Sequence, residues 1–106
     1  MPTITPDLHI QIVRFKIAPE KADGLIEAVR GELGRWVSHC DGFVSSTFHK
    51  SEDGQHVINY AQWRDRAAFD AFLQHEEQQA LRKVLGAAGA GRAEADSFDL
   101  IFTVER

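Results

Sequence analysis

The stretch Val57-Ile58-Asn59-Tyr60-Ala61-Gln62-Trp63 holds the densest set of chemically useful groups in this chain. In an extended strand alternate residues share a face, so Asn59 and Trp63 point the same way, with Ala61 between them. If that face meets a helical layer, a carboxamide and an indole N–H stand inside an apolar space. A buried amide has its own donors and acceptor to satisfy. Two readings stay open at this point. Asn59 bonds neighbouring backbone while Trp63 fills core, or the two line a pocket that holds a polar substituent of a flat, otherwise apolar ligand.

Other chemistries find little support. His9, His39, His49, His56 and His75 include no pair at helical ligand spacing and no accompanying carboxylate triad, so no metal site is expected. Neither a Gly-x-Gly-x-x-Gly run nor a phosphate loop occurs, which leaves a nucleotide cofactor unsupported. Cys40 is the only cysteine and excludes an intrachain disulfide. It reads as a small residue near a helix end, because nothing beside it forms a nucleophile and base.

The chain has 106 residues, the size of one domain, with a formal net charge of −4 from 12 basic and 16 acidic side chains. No basic cluster exists to neutralise phosphates, so nucleic acid is not an expected partner. The N-terminus lacks the basic start and apolar stretch of a signal peptide, and no apolar run approaches the roughly 18 residues of a membrane span. These features predict a soluble, cytoplasmic protein with no membrane contact.

The elements that must position Asn59 and Trp63 follow from periodicity. Residues 10–17 alternate with a change of phase, as a strand does at a bulge or where both faces are covered. Pro19 suits a first helical turn, and Ala22, Leu25, Ile26, Val29, Leu33, Trp36 and Val37 form one helical stripe. Asp41-Gly42 closes that segment, with glycine able to enter the left-handed region. Two strands, 43–49 and 56–63, flank Ser51-Glu52-Asp53-Gly54-Gln55, a hairpin signal. Asp65 is a helix N-cap, and the helix it opens is expected to bend or break near Glu76. A flexible connection over 86–96 precedes a last strand in which Phe98, Leu100, Phe102 and Val104 alternate. The whole reads as one domain over 1–106 with a tail over 1–7.

Strand, helix, strand, strand, helix, strand is the ferredoxin-like βαββαβ order of an α+β fold, with both helices on one sheet face. Each strand carries apolar residues of both parities, so a second apolar face is left uncovered. That predicts a homodimer packed sheet to sheet.

The run with Trp36-Val37, Gly42-Phe43, Thr47-Phe48-His49, Asp53-Gly54 and Asn59-Tyr60-Ala61-Gln62-Trp63 resembles the antibiotic biosynthesis monooxygenase family. Within it the chain is most similar to cofactor-independent anthrone oxygenases of aromatic polyketide pathways, of the actinorhodin-pathway type. The likeness spans about residues 19–85 and is most specific at the Asn59–Trp63 run. It implies a dimeric α+β barrel and oxidation of an anthrone-type phenol to a quinone by O₂, with no metal, flavin or haem.

By that resemblance Asn59 hydrogen-bonds the substrate oxygen and favours the enolate, Trp63 positions the substrate, and Arg82 stabilises an oxyanion or peroxide. His49 would contact polar groups of the substrate, while Trp36, Phe69 and Phe72 would line the pocket. Phe69 stands where the related enzymes carry tyrosine, which removes a hydroxyl that would bond the substrate and leaves open a different aromatic substrate or no catalysis. The alternative is a non-catalytic small-molecule-binding or stress-associated dimer. A haem-binding or haem-degrading protein ranks below it, because Val13 stands where such proteins have a strand asparagine.

Overall fold

The computed structural model describes residues 4, 5, 7–91 and 93–106. Of the tail expected over 1–7, residues 1–3 and 6 lie outside the described residues, as does Arg92 of the expected connection.

Strands β1 (His9–Lys16), β2 (Phe43–Lys50), β3 (His56–Trp63) and β4 (Ala93–Phe98) form one antiparallel sheet in the order β2-β3-β1-β4. Helices α1 (Ala22–Arg35), α2 (Arg66–Leu73) and α3 (Gln78–Ala87) complete the ferredoxin-like α+β arrangement. β1 pairs with β3 without interruption, from His9 opposite Trp63 to Lys16 opposite His56. The phase change in its sequence is therefore not a bulge. His9, Gln11, Val13 and Phe15 share one face and Ile10 and Ile12 the other, so polar residues occupy the core face at one end of the strand. The register shift lies in β2 instead, between Phe43 and Ser45, where Val44 is exposed.

Pro19 opens a short 3₁₀ turn that leads into α1, whose buried side chains Ala22, Leu25, Val29 and Glu32 follow the helical repeat. The helix stops at Arg35. Trp36 leaves helical geometry, with φ −143°, although the stripe extends the pattern through Val37. Gly42 then adopts φ +84°, and a Cβ there would collide with that of Ala68 at the start of α2. The Gly42 carbonyl accepts from Arg64 N at 2.7 Å, tying the entry of β2 to the exit of β3.

The 51–55 hairpin forms as expected, with Gly54 at φ +74° and the Asp53 carboxylate accepting from Ser51 Oγ and Gln55 N. Asp65 caps α2 by accepting from Ala68 N at 2.8 Å. The expected break near Glu76 is real: α2 ends at Leu73 and α3 begins at Gln78.

The last strand corrects the periodicity. It runs over Ala93–Phe98 rather than 98–104, pairing Ala93 with Phe15 and Phe98 with Ile10. Gly89, at φ +86°, and a bond from Gly91 N to Lys16 O return the chain to the sheet soon after α3. The chain nears the start of β1 by Phe98, and residues 99–106 pair with no strand among the described residues. Ile101, Phe102 and Val104 are 83%, 76% and 82% exposed.

Two apolar clusters join helices to sheet. Phe15, Ile17, Ala22, Leu25, Val29 and Val57 form one, and Trp36, Val37, Trp63, Ala68 and Phe69 form the other.

Candidate active site

A cavity of about 190 Å³ lies between the sheet and the helices, lined by members of both clusters. That volume is below the roughly 300–1,000 Å³ of drug-sized sites and suits a compact ring system. Its floor is the helix-facing side of β1, β2 and β3. Ala61, buried and small, stands in the middle of this floor. Asn59 and Trp63 flank it along β3, Gln11 lies opposite it on β1, and Ser46 lies opposite it on β2.

Asn59 lines the cavity with its carboxamide fixed. Ser46 Oγ donates to Asn59 Oδ1 at 2.5 Å, and among the described residues nothing accepts from the Asn59 Nδ2. Trp63 is 2% exposed and held edge-on by Phe43, with ring centroids 5.4 Å apart at 87°. Its indole also packs on Phe72 at 4.8 Å and Phe69 at 6.1 Å. Among the described residues its N–H has no acceptor. Asn59 and Trp63 share one face of β3, as alternation along the strand predicts, and Phe69 and Phe72, which the resemblance placed at the pocket, also line the cavity.

Three expected residues are elsewhere. Trp36 does not line the cavity. As the helix cap it packs on Phe72 and His75, with centroids 5.5 and 4.5 Å away, buried in the cluster that also holds Trp63 and Phe69. His49 is exposed on β2, since its neighbour Phe48 takes the cavity face and alternation turns His49 away. Arg82 is exposed on α3, one position past the cavity-lining Leu81, and a single residue rotates a helical side chain by about 100°. In this chain Arg82 therefore stands outside the cavity, and so do Trp36 and His49.

The helical wall brings a carboxylate instead. Glu32 is 7% exposed and lines the cavity, with its oxygens bonded to Arg35 Nε at 2.9 Å and Nη2 at 3.2 Å. Arg35 also reaches Glu77 at 3.0 and 3.3 Å, bridging α1 to the α2–α3 break. These bonds push the guanidinium pKa above its ordinary value, and the Arg35 bond holds the Glu77 carboxyl below its own. Burial raises the Cys40 thiol, which donates to Trp36 O, so it has no character of an activated nucleophile. Among the described residues no group of His, Cys, Asp and Glu side chains is arranged to hold a metal ion. No helix among them is long and apolar enough to cross a membrane.

This arrangement of a small domain with an aromatic cavity over an antiparallel sheet has relatives. Residues 8–84 match the antibiotic biosynthesis monooxygenase family. The chain belongs to that family. A tetracenomycin F1 monooxygenase from Streptomyces glaucescens is 45% identical over 67 residues, which cover 63% of this chain and 60% of that protein. The matched stretch thus spans only about three-fifths of that curated relative.

Among solved structures, the monooxygenase from the gene ActVA-Orf6 of Streptomyces coelicolor, in complex with nanaomycin D, superposes with a TM-score of 0.84. It is 27% identical, with 96% of each chain covered. SnoaB from Streptomyces nogalater, a cofactor-independent oxygenase, has a TM-score of 0.76 at 21% identity over 94% of this chain and 99% of that one, and so shares the fold.

In this member of the family, sequence reasoning missed Gln11, Glu32, Ser46 and Gln78 at the cavity. Two signals were available. Glu32 sits on the apolar stripe of α1, seven residues after Leu25, and Gln11 interrupts the apolar parity of β1. Ser46 carried none, because the bulge at Val44 decides which face it takes.

Proposed function

We propose that the chain is a cofactor-independent monooxygenase that oxidises a small aromatic phenol or anthrone-type substrate to a quinone with O₂. The observation that carries this reading is the fixed amide of Asn59 beside Trp63 in a cavity lined mainly by aromatic and aliphatic side chains. An oriented N–H donor in a water-poor space stabilises negative charge on a substrate oxygen far better than water does. Asn59 Nδ2 therefore favours loss of a ring-methylene proton to give the enolate, and the Trp63 indole N–H orients the ring system. The electron-rich enolate reduces O₂ directly. One oxygen atom becomes the new carbonyl, and the other leaves as water with the two methylene hydrogens, so no external reductant is required. Family membership and the likeness to the tetracenomycin F1 and ActVA-Orf6 monooxygenases support this class of reaction.

The reading includes a homodimer formed through the open sheet face. Ile12, Ile58 and Tyr60 lie only half-buried on that face, and Phe98 is 45% exposed at its edge. A second copy would cover them.

Oxygen uptake by the purified protein with a reduced anthrone tests the activity. The rate should exceed the spontaneous one and fall to it in the Asn59→Ala/Trp63→Phe double variant. Equal rates with the two proteins would overturn the reading and leave a non-catalytic binding protein. A Soret band on haem addition, bleached by reductant, would instead favour haem chemistry.

A further inference from the structure

Asn59 is not the only amide on the cavity floor. Gln11 lines the same cavity from β1, is 7% exposed, and accepts at its Oε1 from Ser97 Oγ at 2.8 Å. Among the described residues nothing accepts from the Gln11 Nε2. The two amides are thus built alike. In each, a serine from a neighbouring strand takes the carbonyl oxygen and leaves the NH₂ group for something else: Ser46 of β2 for Asn59, and Ser97 of β4 for Gln11. An amide NH₂ that no protein group accepts from and that lines a mainly apolar cavity is open to an acceptor on a ligand.

Their placement sets what that ligand looks like. Gln11 pairs with Ala61 and Val13 pairs with Asn59, so Gln11 and Asn59 are diagonal neighbours on one face, with Cα atoms typically about 7–8 Å apart. Ala61 between them carries only a methyl group, so both amides reach over it into the same space. The walls include Phe43, Phe48, Phe69 and Phe72, which suit flat rings, while the Glu32 carboxylate on the helical side is already engaged by Arg35.

We propose that Gln11 is a substrate-holding residue that works as a pair with Asn59, and that Ser97 is its positioning residue. The site then selects fused-ring ligands with two oxygen substituents next to each other on one edge, such as a carbonyl beside a ring hydroxyl, over ligands with a single oxygen there. This rests on the aromatic-substrate reading above and narrows it to a substitution pattern.

The test uses redox-inert ligands, so that binding is read without turnover. Two anthraquinones are titrated into the protein by tryptophan quenching, one unsubstituted and one with a hydroxyl beside a carbonyl. The native chain should bind the hydroxylated quinone about tenfold more tightly, as one added hydrogen bond allows. Gln11→Met, which keeps the side-chain volume, should abolish that preference and change the affinity for the unsubstituted quinone by less than twofold. Ser97→Ala, at an exposed position, should reduce the preference to about threefold.

A loss of affinity for both quinones alike would make Gln11 structural and overturn the proposal. An unchanged preference in Gln11→Met, or no saturable binding of either quinone, would overturn it as well. If the preference depends on Gln11 while the protein never raises oxygen uptake, the monooxygenase reading fails and the binding assignment stands. If Asn59-dependent oxygen uptake is present and Gln11→Met keeps the preference, only the present proposal fails.

Discussion

Ser46 Oγ donates to Asn59 Oδ1 at 2.5 Å, which decides that the amide nitrogen of Asn59, and not its oxygen, is presented to the cavity. Ser46→Ala removes that restraint and lets the carboxamide turn. The kcat/KM for a reduced anthrone should fall about threefold to tenfold, in line with one neutral hydrogen bond, with little change in thermal midpoint. Asn59→Asp should be far more severe, since it replaces the donor with a charge that repels the developing enolate. Steady-state oxygen uptake on the two variants checks both outcomes, and equal losses would refute the orienting role of Ser46.

The turn at Gly42 carries a second prediction. Any side chain there must adopt φ +84° and meet the Cβ of Ala68. The left-handed conformation alone costs a non-glycine residue about 1–2 kcal/mol, and the collision adds to that. Gly42→Ala should lower unfolding stability by about 2 kcal/mol or more in a urea titration. The Gly42→Ala/Ala68→Gly pair should recover only the part due to collision.

The cap of α2 depends on ionisation. The bond from Ala68 N, aided by Arg64, holds the Asp65 carboxyl below the usual carboxylate range. A group whose pKa is lower in the folded state contributes stability above its unfolded pKa and loses it as pH falls through the folded one. The stabilising effect of Asp65 over Asp65→Ala should therefore be full at neutral pH and vanish below the ordinary carboxylate range. Thermal midpoints of both proteins across that interval decide it, and a constant difference would contradict the ionic origin. The carboxamide in Asp65→Asn should keep much of the cap without the pH dependence.

The proposed dimer carries a prediction for the exposed apolar side chains of the C-terminal residues, which a second copy would cover. Ile101 and Phe102 are 83% and 76% exposed in one chain. Light scattering should return twice the 11.9 kDa chain mass at micromolar concentration. Ile101→Asp/Phe102→Asp should shift the protein towards monomer and leave its circular dichroism unchanged, because neither side chain is part of the protomer core. A monomer mass for the native chain would refute the dimer.

The sequence by itself determined most of the frame. Period-2 and period-3.6 patterns located β1, α1, the hairpin of β2 and β3, the Asp65 cap and the break between α2 and α3. Those features are local, set by alternation, capping and turn chemistry within a few residues. The face shared by Asn59 and Trp63 was legible for the same reason, since a strand without a bulge keeps its parity.

What only the tertiary structure decided are the relations between strands and helices. β4 begins at Ala93 because β1 offers its edge from Phe15 to Ile10, whereas Leu100, Phe102 and Val104 of the alternating run lie past Phe98 and pair with no strand among the described residues. The same pairing brings Ser97 to Gln11 across 86 positions of sequence. Arg82 and His49 fell outside the cavity because one residue of phase on a helix or strand turns a side chain from the core to solvent. Phase of that kind is set by packing, and no local pattern records it.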